Sequence, residues 1–387
     1  MTVTAASRAL RLVVLLGIVS LFADMTYEGA RSVTGPFLAI LGASGTVVGI
    51  VAGAGELVGY GIRLVSGYLA DRTGRYWTIT LLGYVINLLA VPLLALAGRW
   101  ELAAGLMIAE RLGKAIRNPP RDAMLSHATR RIGAGWAFGL HEALDQLGAL
   151  VGPFIVTVVL VMGAGYRTAF AVLLVPALLA LGFLTTAWRA YPTPRDLEPE
   201  ASTPGGHGFP RALWIYLAAA AFVAAGYVDF PLIAYHFGKT ALFAAPLIPV
   251  SYAVAMAVDG LAALAFGRLF DRLGVTALVL SVVLSAAFPL LVFSESFPLA
   301  LAGMVLWGIG MGAQESIFRA VIARLVPANR RGSAYGAFNT GYGVAWFLGS
   351  ALMGILYDVS LPALIGFSVA MQLVAIPILL RLRGDVR

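Results

Sequence analysis

Hydrophobic residues in this chain come in long continuous runs rather than in alternation. Twelve such runs, 9–41, 44–70, 76–97, 101–127, 132–162, 166–189, 211–239, 241–269, 275–294, 297–325, 331–357 and 361–383, are separated by short polar connections. A helix needs about 20 apolar residues to cross the hydrocarbon core of a bilayer. Inside lipid every backbone polar group must be satisfied internally, which permits only helices or closed barrels. Continuous runs instead of a period of two select helices. The pattern therefore predicts an all-α polytopic membrane protein with twelve transmembrane helices. One stretch breaks the rhythm: Tyr191 to Pro210 holds Pro192, Pro194, Pro199, Pro204, Gly205, Gly206 and three acids. It reads as a polar linker (191–210) between an N-terminal six-helix bundle (1–190) and a C-terminal one (211–387).

The two halves repeat each other. Gly67-Tyr68-Leu69-Ala70-Asp71-Arg72-Thr73-Gly74-Arg75 is echoed 200 residues later by Gly267-Arg268-Leu269-Phe270-Asp271-Arg272-Leu273-Gly274. Arg130-Arg131 before Gly139 and Gly152 likewise parallels Arg330-Arg331 before Gly336 and Gly349. Same-orientation repeats of six spans predict bundles related by pseudo-twofold symmetry, with a substrate site between them near the bilayer midplane. Glycines at small-x-x-x-small spacing, such as Gly49 with Gly53, suit close helix approach in lipid.

Composition agrees. The chain is 60% hydrophobic and 12% charged, with a mean hydropathy of +0.88, where soluble domains carry about 25% charged residues. The net charge of +8 raises the question of nucleic acid, but the arginines gather in alternate connections, Arg99 and Arg167 excepted. That is the positive-inside pattern, with both termini cytoplasmic in a plasma (cell inner) membrane, and no nucleic-acid partner is needed. The absence of cysteine excludes disulfide scaffolds, thiolate metal sites and cysteine nucleophiles. The first segment does not read as a cleavable signal, since polar residues interrupt it and no A-x-A-like site follows. No Gly-x-x-x-x-Gly-Lys-Ser/Thr loop is present, so ATP is not the direct driver. No cofactor and no metal are expected.

The Gly-x-Leu-x-Asp-Arg-x-Gly-Arg turn after the second span, with its echo after the eighth, resembles the signature of the major facilitator superfamily over essentially the whole chain. Two further patterns resemble its drug:proton antiporter branch. In the fourth span Arg111-Leu112-Gly113-Lys114-Ala115 keeps that branch's arginine but not the following Gln-Gly. In the fifth, Gly148, Gly152 and Pro153 fit its glycine pattern but the closing glycines are missing. The resemblance implies alternating access by a chain able to work as a monomer, Arg111 as electrostatic partner of a protonatable acid, and a gating ion network of Asp71, Arg72, Arg75 and Asp122. Asp271 and Arg272 are then the second-half counterpart.

Charges inside the membrane are expensive and mark functional sites by default. Asp24, Glu28 and Arg31 lie at i, i+4 and i+7 on one stripe of the first span. Two acids four residues apart in low dielectric suit proton coupling, the alternative being a static ion pair with Arg31. Glu110, Lys114 and Arg117 share a stripe of the fourth span, where Glu110 and Lys114 are spaced to neutralise each other or Lys114 and Arg117 to hold an anion. In the fifth span His141 and Asp145 share a face, with Glu142 about 60° from Asp145. Glu56–Arg63 and Glu315–Arg319 read as structural pairs. Proton coupling is assigned to Asp24, Glu28, Arg111, Glu142 and Asp145. Substrate contact is assigned to Arg31, Glu56, Glu110, Lys114, His141, Asp229, Tyr227, Trp307 and Asn339.

The expected function is proton-coupled efflux of a small molecule. The alternative is proton-coupled movement of an anionic metabolite or chelate, from Arg31, Arg63, Arg111, Lys114 and Arg117. A remote one is an intramembrane metalloprotease, because His141-Glu142-Ala143-Leu144-Asp145 is similar to the H-E-x-x-H zinc helix with its second histidine replaced.

Overall fold

A computed structural model describes residues 5–132, 134–192, 209–326 and 331–382. Most of the expected linker and the Arg330 end of the second Arg-Arg pair fall outside the described residues. Among the described residues fifteen α-helices account for the twelve runs. Nine runs are α1 (Ala5–Ile40), α2 (Gly45–Thr73), α3 (Tyr76–Leu93, extended by a short 3₁₀ turn), α4 (Trp100–Ile132), α5 (Ala134–Val161), α10 (Leu247–Leu273), α13 (Phe297–Leu325), α14 (Arg331–Val359) and α15 (Leu361–Leu380). The other three runs are each interrupted: α6 (Gly165–Val172) with α7 (Leu174–Ala190), α8 (Arg211–Gly226) with α9 (Phe230–Lys239), and α11 (Val275–Ala286) with α12 (Phe288–Val292). Proline explains all three interruptions. Pro176, Pro231 and Pro289 sit in the first turn of α7, α9 and α12, where a missing N–H costs nothing, whereas in mid-helix it would break the preceding turn.

Eleven helical segments among the described residues are long and apolar enough to cross a membrane. The twelfth run, α4, is too highly charged for that measure. It carries Glu110, Arg111, Lys114, Arg117, Arg121 and Asp122 along its length, and it turns Arg117 wholly inward.

The repeat read from the sequence is a repeat of geometry. Gly74 and Gly274 end α2 and α10 with φ of 68° and 57°. Each donates its N–H across the last turn, to Ala70 and to Phe270, at 2.8 Å in both copies. Only glycine adopts this backbone without strain, which is why both copies end on it.

The helices form two compact units, Met1–Arg31 with Gly61–Ala201, and Ser32–Tyr60 with Ser202–Arg387. The division differs from one at the linker alone, because the end of α1 and the start of α2 belong with the second unit. In that unit Gly35 is crossed by α9 at Pro231 and Tyr235, and Gly49 and Gly53 by α14 at Phe347, Ser350 and Gly354. In the first unit α4 lies on α3 through Gly83 and Gly113. There α5 lies on α1 through Gly148 and Gly152, whose added Cβ atoms would strike the Leu21 and Met25 carbonyls.

Candidate functional site

The close approach of α5 to α1 brings together charges that are far apart in sequence. Gly148 lies against Leu21 and the Asp24 side chain, and Gly152 against Met25 and Gly29. Asp24 is buried and accepts a hydrogen bond from the Tyr27 hydroxyl. Around Asp24 stand the charges of Asp145, Lys114, Glu28 and Arg117. Lys114 Nζ stands 3.6 Å from Glu28 Oε1 and 3.8 Å from the centroid of the Tyr27 ring. The ring thus joins a cation on its face to a carboxylate at its hydroxyl. One Asp145 carboxylate oxygen is buried with no hydrogen-bond partner.

Glu110 bonds differently from its expected tie to Lys114. Its carboxylate accepts from Asn87 Nδ2 at 2.8 Å and pairs with Arg111 at 3.5 Å. The fully buried Arg117 guanidinium lies 4.2 Å over the Tyr84 ring, and none of its three nitrogens has a hydrogen-bond partner. His141 is buried, its Nε2 3.0 Å from Ser20 Oγ. Arg121 donates to the same hydroxyl at 3.1 Å. Arg121 also grips Asp122 at 2.8 Å. Glu142, one residue on from His141, is exposed, while Arg31 is half-buried near the edge of this unit.

The second unit has its own buried polar centre, at the interruption between α8 and α9. Asp229 is buried and its Oδ2 accepts from Trp346 Nε1 and Ser350 Oγ, both at 2.8 Å. Tyr227 donates to the Trp307 carbonyl, Trp307 Nε1 donates to the Val228 carbonyl at 2.9 Å, and Ser368 donates to the Gly226 carbonyl. Gln314 accepts from Tyr342 at 2.8 Å. Asp259 is buried nearby on α10; Glu56 and Asn339 are half-buried.

At the repeated turns, Asp71 accepts from Tyr76 at 2.9 Å, Arg72 donates to Tyr68 at 3.3 Å, and Arg75 is exposed at the start of α3. No ion pair joins Asp71, Arg72, Arg75 and Asp122 to one another among the described residues. In the second copy Asp271 pairs with Arg324 at 3.2 Å, and Arg272 is exposed. The Arg319 side chain lies outside what is described.

Sequence reasoning missed Tyr27, Ser20 and Arg121. Tyr27 was findable, since an i, i+3 neighbour of Asp24 shares its stripe. Ser20 joins His141 and Arg121 through contacts across 121 and 101 residues, which no local spacing signals.

Long apolar helices with ionisable groups buried among them fit a polytopic membrane transporter of small molecules. The chain belongs to the Major Facilitator Superfamily, whose family profile matches residues 16–350 and 230–386. It is 43% identical over 382 residues, 97% of this chain and 93% of the relative, to an uncharacterized protein of Mycobacterium tuberculosis. It is 25% identical over 367 residues, 90% of this chain and 89% of the relative, to an uncharacterized MFS-type transporter of Methanocaldococcus jannaschii. A multidrug resistance protein, MdtH of Proteus mirabilis, matches at 32% identity over 31% of this chain and 30% of its own. Among solved structures, the nucleoside transporter NupG superposes with a TM-score of 0.74 at 12% identity, over 95% of this chain and 98% of that one. A bacterial homolog of the lysosomal transporter Spinster gives 0.74 at 14%, over 98% and 97%. These structures show the fold. Among the described residues no group of three or more His, Asp and Glu side chains is placed to hold a metal ion. His141 faces Ser20, not a zinc ligand set.

Proposed function

We propose that this chain is a proton-coupled secondary transporter that exports a small molecule by alternating access, with protons carried inward on the cluster around Asp24. The carrying observation is a gathering of buried acids. Asp24, Glu28 and Asp145 stand among Lys114, Arg117 and Arg121. Acids held close in low dielectric resist being ionised together, so such a cluster suits a carrier that loads and unloads a proton. Arg111 biases this balance through Glu110, and Glu142 lies at its exposed edge. The local match to a multidrug resistance protein supports export. Alternating arginine-rich connections support cytoplasmic termini in the inner membrane. Arg31, Glu56, Glu110, Lys114, His141, Asp229, Tyr227, Trp307 and Asn339 remain the candidate substrate contacts, and Asp71, Arg72, Arg75, Asp122, Asp271 and Arg272 the candidate gating charges. The protein is taken to act as a monomer.

The test starts from a ligand that raises the thermal stability of the purified protein, since a substrate stabilises the state it binds. In proteoliposomes that ligand should drive proton flux, and Asp24→Asn with Glu28→Gln should abolish it. Unchanged coupled flux in the double variant rejects these acids.

One observation favours a second reading, movement of an anion. The Arg117 guanidinium is wholly buried with no hydrogen-bond partner on its nitrogens, and Lys114 is one helical turn away. Salt-sensitive affinity for carboxylates or phosphates, lost in Lys114→Glu, supports that reading over export of a cation.

A further inference from the structure

At the end of the second unit opposite the Gly274 turn, the hairpin made by the last turns of α1 and the first turns of α2 is fastened to α9 and α14. Most of that fastening is close backbone approach at Gly35, Gly49, Gly53 and Gly354, which is apolar and short-ranged. The Tyr235 hydroxyl adds a bond to the Ala43 carbonyl at 3.2 Å. One charged group acts on the hairpin in a different way. Asp358, in the last turn of α14, accepts from the Gly45 N–H at 3.0 Å, the Thr46 N–H at 2.7 Å and the Thr46 hydroxyl at 2.7 Å. The first amides of a helix have no partner within it, and a carboxylate there gains both their hydrogen bonds and the positive end of the helix dipole. Normally such a cap comes from the residue that precedes the helix, and Ser44 Oγ does accept from the Val47 N–H at 3.3 Å. The Gly45 and Thr46 amides are instead satisfied from 313 and 312 positions away. This part of the cap exists only while hairpin and α14 are together, and it disappears when they separate.

We infer that Asp358 is a positioning residue for the transport cycle: its carboxylate is the latch that holds the outer end closed by capping α2 across to α14. The inference rests on the reading of the chain as an alternating-access transporter with that end outside. Three bonds to one carboxylate, each stronger for the charge, favour the closed arrangement. The glycine contacts set how closely the helices meet. The neighbouring His236, 3.0 Å from the Tyr357 hydroxyl, and Lys239, 5.4 Å over the Tyr235 and Tyr357 rings, flank the latch without touching the α2 terminus.

The chain has no cysteine, so single cysteines report cleanly. Val51→Cys places one on the hairpin at a buried position, and Ala277→Cys places one at a buried position on α11. Modification by a membrane-impermeant maleimide is followed in right-side-out and in inverted vesicles. Adding Asp358→Ala should speed labelling at position 51 by about tenfold or more, as loss of charge-assisted bonds worth over 1.4 kcal/mol requires, and leave position 277 unchanged. Thr46→Val, which removes one of the three bonds, should give a smaller rise at 51. An equal rise at both positions means general loosening and overturns the latch, as does no rise at either. A selective rise seen only in inverted vesicles keeps the fastening but places it at the inner end, and so also overturns the outer latch. Loss of the proton-flux reading with the selective rise intact would remove the proposed coupling and leave Asp358 in its role.

Discussion

The ion pair between Lys114 and Glu28 is the most exacting test of the cluster. The two side chains are 18% and 9% exposed and 3.6 Å apart. At an effective dielectric constant of about 20 that separation corresponds to roughly 4–5 kcal/mol of attraction, against which stands the cost of taking both charges out of water. Lys114→Met takes this cation from the buried Glu28 carboxylate, and breaking a buried pair costs up to about 3–5 kcal/mol. Glu28→Gln strands the ammonium and should cost less, because Lys114 keeps the Tyr27 ring and the charge of Asp24. The double variant strands neither, so its loss should be well below the sum, with a coupling energy of about 2 kcal/mol or more, inside the range contacting groups show. The Tyr27 contact disappears in both Lys114 variants and drops out of the cycle. Denaturant titration of the four proteins in mixed micelles measures each term. Additive losses, within about 0.5 kcal/mol, would refute the pairing and with it the acid cluster on which proton coupling rests.

Gly152→Ala should cost about 1–3 kcal/mol of stability by overpacking, because its Cβ would come 2.5 Å from the Met25 carbonyl and 2.8 Å from the Gly29 nitrogen; Gly182→Ala, with nothing within 4 Å, is the control, and equal thermal midpoints for the two would contradict the close approach. Trp346→Phe keeps the ring but removes one of the two donors to buried Asp229, and should lower stability by about 1–3 kcal/mol, with Ser350→Ala similar and the pair less than additive.

The large-scale design was legible because lipid imposes simple rules. Apolar run length marked the spans, and the repeated turn marked the duplication down to the two glycines with positive φ. The stripe of Asp24 and Glu28 was visible in helical spacing alone. What spacing could not supply was the partner across helices. Counting i, i+4 suggested Glu110 for Lys114, whereas contact between α1 and α4 gives Lys114 to Glu28 and leaves Glu110 to Asn87 and Arg111. At the first turn Asp71 and Arg72 bond to local tyrosines, Tyr76 and Tyr68, which charge spacing did not suggest either. Proline foretold breaks only in hindsight, since Pro153 and Pro377 stay inside α5 and α15 while Pro231 and Pro289 begin new helices.

The gap between α8 and α9 bears on how the protein is made. Carbonyls left open at Gly226 and Val228 are closed by Ser368 and Trp307, and Asp229 is satisfied by Trp346 and Ser350, partners that lie 79 to 142 residues further along the chain. Emerging from the ribosome, this segment reaches the bilayer long before the groups that complete it. Its final form must await α15, so the first span of the second half is among the last to mature.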